Sequence, residues 1–294
     1  MKRILVTLSL LLLAQPLFAK ELKELHDLPY GDHPRQVLDF YPAKSDKPTP
    51  VVFYIHGGGW QGGDKKTNPK AFNDKGISVV AINYRYVKQA VEEGVKPPVK
   101  APLSDAARAL QFVRSKAAEW NLDKEKIGAT GGSAGACSSL WLAFHDDMAD
   151  PKSDDPIARE STRLYCAAVN GAQVTLDPKP LREWMPNYKY GAHAFGLPNL
   201  DAVLSDREAL LPLINEYSPM AHVTKDDPAI GLFYGGEVPV VGSSPKDPTH
   251  SAVMGVKLAE KLEETGVEVV LVHPGVKDPK YKSSTEFLID YLTK

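Results

Sequence analysis

Cysteine is scarce in this chain of 294 residues. Only Cys137 and Cys166 are present, with no Cys-x-x-Cys or Cys-x-x-His pair, so a structural zinc site of ordinary spacing has no support. An excess of either charge is also missing. Lys and Arg number 35 against 37 Asp and Glu, a formal net charge of −2. No basic stripe offers itself to nucleic acid, and there is no polyacidic tail. A phosphate-cradling loop ending in Gly-Lys-Ser or Gly-Lys-Thr does not occur, nor does any internal repeat or low-complexity tract. No apolar run reaches the roughly 20 residues that a spanning helix needs.

The chain is 43% hydrophobic and 24% charged, values typical of globular domains. Its length suits one large α/β domain or two small ones. The N-terminus stands apart. Lys2 and Arg3 precede an apolar run, Ile4–Leu13, and Leu17-Phe18-Ala19 places a small residue before Lys20. This pattern reads as a signal peptide over residues 1–19, with the folded domain over 20–294 and a secreted or periplasmic location. An uncleaved anchor is the competing reading. No Cys follows the run, which disfavours a lipoprotein. Export permits a Cys137–Cys166 disulfide, while their apolar surroundings suit buried free thiols equally well.

Apolar runs alternate with helical periodicity. Val37–Tyr41, Val51–Ile55, Ile77–Tyr84, Ile127–Thr130, Leu164–Asn170, Ile230–Tyr234 and Val267–Val272 read as strands. Leu103 to Trp120, Ala134–His145, Ser251–Glu264 and Thr285–Leu292 read as helices, the first capped by Ser104 and Asp105 and the third closed by Gly266. The order predicts an α/β fold, a mainly parallel doubly wound sheet flanked by helices. Residues 176–228 break the alternation. They are rich in Pro, Asn and aromatics, with Trp184, Tyr188, Tyr190 and Phe195 close together. They read as a small inserted cap, with surface packing as the alternative.

Two motifs carry chemistry. Gly131-Gly132-Ser133-Ala134-Gly135 follows a predicted strand and opens a predicted helix, the context of a nucleophile elbow. Small neighbours let the turn close, and the helix N-terminus favours a developing negative charge. His56-Gly57-Gly58-Gly59-Trp60 follows Val51–Ile55. Successive glycines leave backbone N–H groups unobstructed, so the loop can aim donors at an oxyanion.

With these motifs the chain resembles the α/β-hydrolase fold, in particular secreted esterases of the acetyl-xylan/feruloyl esterase-like and hormone-sensitive-lipase-like kind. The matching stretches are Val37–Pro42, His56–Trp60, Asn83-Tyr84-Arg85, Asp105, Gly131–Gly135 and Val272-His273-Pro274-Gly275. The resemblance implies that Ser133 is the nucleophile. It implies an oxyanion hole from the N–H groups of Gly58, Gly59 and Ala134, with Gly57 as a substitute, and it makes His56 an orienting residue of the loop.

A serine hydroxyl needs a base, and the base needs an acid to fix its tautomer. The expected chain order is Ser, acid, His. Asp247 is the favoured acid. It precedes a Pro, and Leu258 and Leu262 follow at the distances seen in related esterases. Glu237 is its rival, with Val238–Lys246 resembling an insertion. The resemblance places the histidine just after Pro274-Gly275, yet Asp278 stands roughly there and no His follows His273. His273 ends the last predicted strand. His250 lies three residues after Asp247, which looks too close for that acid, so Asp278 would be its support. His193 belongs to the cap. The third reading is no base at all.

The leading expectation is a secreted serine ester hydrolase that needs no metal or cofactor and acts on a small-molecule or carbohydrate ester. It has no nucleic-acid partner and no membrane span in the mature chain. A binding protein of the same fold that has lost its chemistry, and a serine peptidase, are the alternatives.

Overall fold

The computed structural model describes residues 22–294, so the signal segment read at 1–19 lies outside the described residues. The β-branched and aromatic runs become β1 (Leu25–Pro29), β2 (Val37–Tyr41), β3 (Thr49–Ile55), β4 (Ser78–Ile82), β5 (Leu122–Gly132), β6 (Cys166–Asn170), β7 (Ala229–Phe233) and β8 (Val269–Val272). They form one sheet in the order β1-β2-β4-β3-β5-β6-β7-β8. β3 to β8 run parallel, β2 opposes β4 and β1 opposes β2. The helices are α1 (Lys70–Asn73), α2 (Val87–Glu92), α3 (Lys100–Ser115), α4 (Ala134–Phe144), α5 (Pro178–Trp184), α6 (Leu200–Ser205), α7 (Arg207–Tyr217), α8 (Ala252–Thr265) and α9 (Ser284–Thr293). This is the mainly parallel doubly wound α/β sheet that the alternation predicts.

Alternation along the strands divides the core between two faces. Phe53 and Ile55 of β3 pack with Leu103 and Leu110 of α3, Leu140 of α4 and Leu258 of α8. Val52 of β3 and Val79 of β4 pack on the other face with Phe287, Leu288 and Leu292 of α9. Burial on both faces explains why these strands are apolar throughout. It also settles the cysteines. Cys137 lies in the first cluster and Cys166 in the second, so the sheet separates them and both are free and buried. The disulfide alternative is therefore not realised. Burial pushes both thiols up, Cys166 to about 12, and leaves them unreactive.

Two local expectations are corrected. α3 ends at Ser115, and Trp120 instead stacks on Phe40 with ring centroids 4.5 Å apart. Its place in the apolar period reflects core packing from a turn. α3 also begins at Lys100, so Ser104 and Asp105 fall too far into the helix to cap it. Asp105 is 1% exposed. It accepts from Arg85 Nη2 at 2.6 Å, Arg85 Nε at 3.0 Å, the Arg85 amide at 2.9 Å and Gln36 Nε2 at 2.7 Å. These bonds hold the Arg85 guanidinium above its ordinary pKa and lock the segment after β4 onto α3.

Residues 176–228 contain no strand. They hold α5, α6, α7 and two 3₁₀ turns, Ala192–Phe195 and Pro219–Ala221. Leu181, Met185, Tyr188 and Tyr217 join the larger core cluster. Asp177 caps α5 by accepting from the Lys179 amide at 2.9 Å, with Pro178 as the first helical residue.

Removing Asp105 takes the buried acceptor from the Arg85 guanidinium, the Arg85 amide and Gln36 Nε2, while Glu93 still accepts from Arg85 Nη1 at 2.8 Å. Asp105→Ala is expected to lose about 3–5 kcal/mol of folding free energy, read from the urea midpoint at unchanged m-value. A loss within about 0.5 kcal/mol, the range of an ordinary surface substitution, would contradict this account.

Candidate active site

Ser133 sits between β5 and α4 at φ 53°, ψ −122°, a sparsely populated conformation that stores about 1–3 kcal/mol. The surrounding backbone enforces it. A Cβ on Gly131 would lie 2.4 Å from the Ile55 carbonyl oxygen, and one on Gly135 2.1 Å from the same atom. At Gly132 the nearest such neighbour is 3.9 Å away. The spacing Gly-x-Ser-x-Gly thus records where β3 presses on the turn. The Ser133 amide donates to Asn170 O of β6 at 3.0 Å, which fixes the turn from the other side.

The glycine loop leaves β3 beside this turn. A Cβ on Gly57 would stand 3.5 Å from Ser133 Cβ, so the loop abuts the serine. Gly58 and Gly59 have φ 98° and 62°, and a Cβ on Gly59 would meet Tyr190 Oη at 2.3 Å. Among the described residues, the N–H groups of Gly58, Gly59 and Ala134 have no acceptor in the protein. They are available to an oxyanion. His56 braces the loop. Its ring stacks on Tyr84 at 4.2 Å, and Nδ1 donates to Gly57 O at 2.7 Å. Burial, with Arg35 nearby, lowers its pKa, so it stays neutral. Trp60, 1% exposed at φ 55°, donates from Nε1 to Ser138 Oγ at 3.0 Å and pins the loop to α4.

The segment after β7 supplies the imidazole. His250 Nε2 is 2.9 Å from Ser133 Oγ, and His250 Nδ1 is 2.8 Å from Asp247 Oδ2. A carboxylate only accepts, so Nδ1 carries the proton and Nε2 presents its lone pair to the hydroxyl. Asp247 Oδ1 also accepts from the His250 amide at 3.3 Å, capping the 3₁₀ turn Pro248–His250. One carboxylate thus holds both backbone and ring of the same residue. The spacing that looks too short in the sequence works because the turn folds the imidazole back over its own cap. Partial burial raises the Asp247 carboxyl, but the hydrogen bond and charge of His250 and the amides of His250 and Thr249 outweigh it. Its pKa falls below the ordinary carboxylate value. The ionised form therefore persists down to pH values at which a free Asp protonates, and its contribution to stability is lost only as pH falls through that lowered pKa.

Gln173 was not apparent from the sequence. It is 2% exposed, and its Nε2 donates to Thr249 O at 2.7 Å. A Cβ on Gly171 would stand 3.4 Å from His250 Cβ. The stretch after β6 therefore supports the His250 turn from beneath. A lone Gln three residues past a strand carries no signal that would have revealed this. Asn187 Nδ2 donates to Pro245 O at 2.8 Å and the Gly242 amide to Trp184 O at 2.7 Å, tying the same loop to the 176–228 segment. A cavity of about 460 Å³ lies beside the turn, lined by Asn187, Lys189, Tyr190, Pro248 and Thr249.

The other candidates do not join this group. His273 Nδ1 accepts from the Gly275 amide at 3.1 Å, and no hydrogen bond links it to Ser133. Asp278, exposed at φ 47°, does not support His250. Glu237 accepts from the Lys246 amide at 3.1 Å. His193 packs against Tyr190 at 4.9 Å and Trp60 at 6.1 Å. Tyr188 is 1% exposed, so it offers no face to a ligand.

Residues 38–247 match the BD-FAE family, and the chain belongs to this family of α/β-hydrolase esterases. It is 30% identical over 221 residues to the probable carboxylic ester hydrolase LipM of Mycobacterium tuberculosis, covering 71% of this chain and 47% of the relative. The chain spans about a quarter to a half of the length of the first curated relatives it matches. Among solved structures, a truncated carbohydrate esterase from gut microbiota superposes with a TM-score of 0.68 at 20% identity, covering 92% of this chain and 97% of that one. The acetyl ester-xyloside bifunctional hydrolase of Caldicellulosiruptor lactoaceticus superposes with a TM-score of 0.64 at 23% identity, covering 87% of each. These two share the fold.

The contact pattern at the turn predicts a sharp contrast. Gly132→Ala is expected to retain stability within about 1 kcal/mol, whereas Gly135→Ala drives a Cβ into the β3 backbone and should lose about 3 kcal/mol or fail to fold. Urea melts of both variants decide it. Equal losses would show that β3 does not press on the turn.

Proposed function

We propose that this chain is an exported serine carboxylic ester hydrolase acting on acylated carbohydrate. The observation that carries the reading is the continuous chain Asp247–His250–Ser133, at 2.8 and 2.9 Å, beside unpaired amides of the glycine loop.

Ser133 Oγ attacks the ester carbonyl as its proton passes to His250 Nε2. The carbonyl oxygen, now an alkoxide, accepts from the amides of Gly58, Gly59 and Ala134. Asp247 stabilises the imidazolium. His250 returns the proton to the departing alcohol, leaving an ester on Ser133. Water then loses a proton to His250 and attacks the acyl carbon, and collapse releases the acid and restores the hydroxyl. The reading of a binding protein without chemistry began from the lack of a histidine after His273. With His250 in hydrogen-bond reach of Ser133, that motive falls away.

Several features favour an acylated sugar. The dyad faces solvent, with the His250 and Asp247 side chains 42% and 64% exposed, so a bulky polar alcohol has room. Tyr190 and the polar groups of Asn187 and Lys189 line the adjacent cavity. One structural neighbour is named a carbohydrate esterase and another an acetyl ester-xyloside bifunctional hydrolase. Segment 176–228 is the cap that frames this side of the site. The charged and apolar pattern of residues 1–19 supports export.

With p-nitrophenyl acetate, Ser133→Ala and His250→Ala should each lower kcat by about 10⁶, and the double variant should be no worse than either single one, because the two groups act as a unit. His273→Ala should keep kcat within about twofold, as expected for a residue with no transition-state contact. Equal rates for the parent and Ser133→Ala would end the proposal. Acetate release from acetylated xylo-oligosaccharides should exceed that from a simple alkyl acetate in kcat/KM, and Tyr190→Ala should narrow the gap. No preference would remove the carbohydrate part and leave the esterase part standing.

A further inference from the structure

At the far end of α4, three side chains converge that the ester chemistry does not use. His145 follows the last residue of α4, Glu216 lies in the final turn of α7, and His222 follows the 3₁₀ turn Pro219–Ala221. One ligand atom from each lies within 4.8 Å of the other two. We propose that they form a binding site for a divalent transition-metal ion of the zinc type, clamping segment 176–228 to the helix that carries Ser133.

The hydrogen bonds around the cluster fix its chemistry. His145 Nδ1 is 2.9 Å from Asp146 O, and His222 Nε2 is 2.7 Å from Glu216 O. A carbonyl oxygen only accepts, so each of these ring nitrogens carries a proton. The lone pairs are then on His145 Nε2 and His222 Nδ1. His145 Nε2 stands 3.4 Å from Glu216 Oε1, and the two imidazoles are 4.7 Å apart between ring centroids. With both rings neutral, His145 Nε2, His222 Nδ1 and the Glu216 carboxylate each offer a lone pair. Protons on both rings would set two like charges side by side, which is unfavourable. A single cation satisfies all three groups.

Carbonyl bonds to the remote ring nitrogens are the usual support for metal-bound histidine, because they fix the tautomer and orient the ring. Two imidazoles and one carboxylate suit zinc, cobalt or nickel better than calcium or magnesium. Arg163, which donates to His145 O at 3.4 Å, is itself paired with Asp226 at 3.3 Å and Asp227 at 3.5 Å. The ligands are separated in sequence by 71 and 6 residues, as far apart as no short motif would reveal. α4 has 11 residues, roughly 16 Å of helix at 1.5 Å each. The ion is therefore remote from Ser133 and serves the fold. Trp141 Nε1, donating to Glu216 O at 2.8 Å, already joins the same two elements without metal.

The test uses the purified full chain after chelator treatment and dialysis. Co²⁺ titration followed by visible absorption, and Zn²⁺ titration by calorimetry, should each show one equivalent. The Tm should rise by about 5 °C when Zn²⁺ is at a hundredfold excess over Kd. His145→Ala, His222→Ala and Glu216→Gln should each weaken binding by at least the about 10–100-fold that loss of an outer-shell partner produces, while p-nitrophenyl acetate turnover stays unchanged. His145→Gln and circular dichroism replace any variant that does not fold. Binding that survives in the His145→Ala/His222→Ala double variant, or an absence of stoichiometric binding by the parent, overturns the proposal and leaves an ion pair held by a proton.

Discussion

The site depends on the pressure of β3 against the turn that follows β5. Gly131 pairs with Ile55 across these neighbouring strands, the Ile55 carbonyl crowds both flanking glycines, and that of His56 crowds Gly135 as well. That contact leaves Ser133 no relaxed conformation to adopt. The buried α4 behind it, the Asn170 carbonyl beside it and the sheet beneath it oppose relaxation, so local strain is offset by packing spread over many residues. The same adjacency brings the loop after β3 within van der Waals distance of the serine. Hydroxyl and free amides therefore meet as a consequence of strand order, before any side chain beyond Trp60 and His56 contributes.

The imidazole and its carboxylate follow a different logic. In the arrangement that the resemblance implies, acid and base leave the sheet after two different strands. Here the order Ser, Asp, His is kept, but the last two are compressed into one turn after β7. Asp247 caps that turn and binds the ring of the residue whose amide it also accepts. Few torsions separate the two groups, so little conformational entropy is lost in aligning them. The stretch after β8 is released from any such duty. Asp278 faces solvent there, and His273 turns to its own Gly275 amide.

Much of the fold was legible because its signals are local. Val37–Tyr41 is a strand at those bounds, and Ser133 and the glycine loop are contiguous motifs whose geometry follows from small residues at fixed offsets. What the sequence hid was tertiary. β1, α1 and α2 are short and depend on neighbours for their existence. Trp120 fits the period of a helix face and Tyr188 the aromatic composition of a cap, yet each is buried by distant partners, Phe40 in one case and the main core in the other. Asp105 stood near a predicted helix start but answers to Arg85, 20 residues away. His250 was among the candidates, but its reach to Ser133, across 117 residues, follows from the supporting Gln173 and Gly171.

Joining acid and base on one turn has a mechanical corollary. The segment between β7 and α8 is strapped to its surroundings through the backbone of Thr249, within the turn, and of Pro245 and Gly242, before it. The carboxylate–imidazole bond lies wholly inside the turn, whereas the imidazole–hydroxyl spacing is set by these outside ties. Carboxylate and imidazole therefore form one unit on a single turn, and the 176–228 segment holds that turn through Asn187 and Trp184.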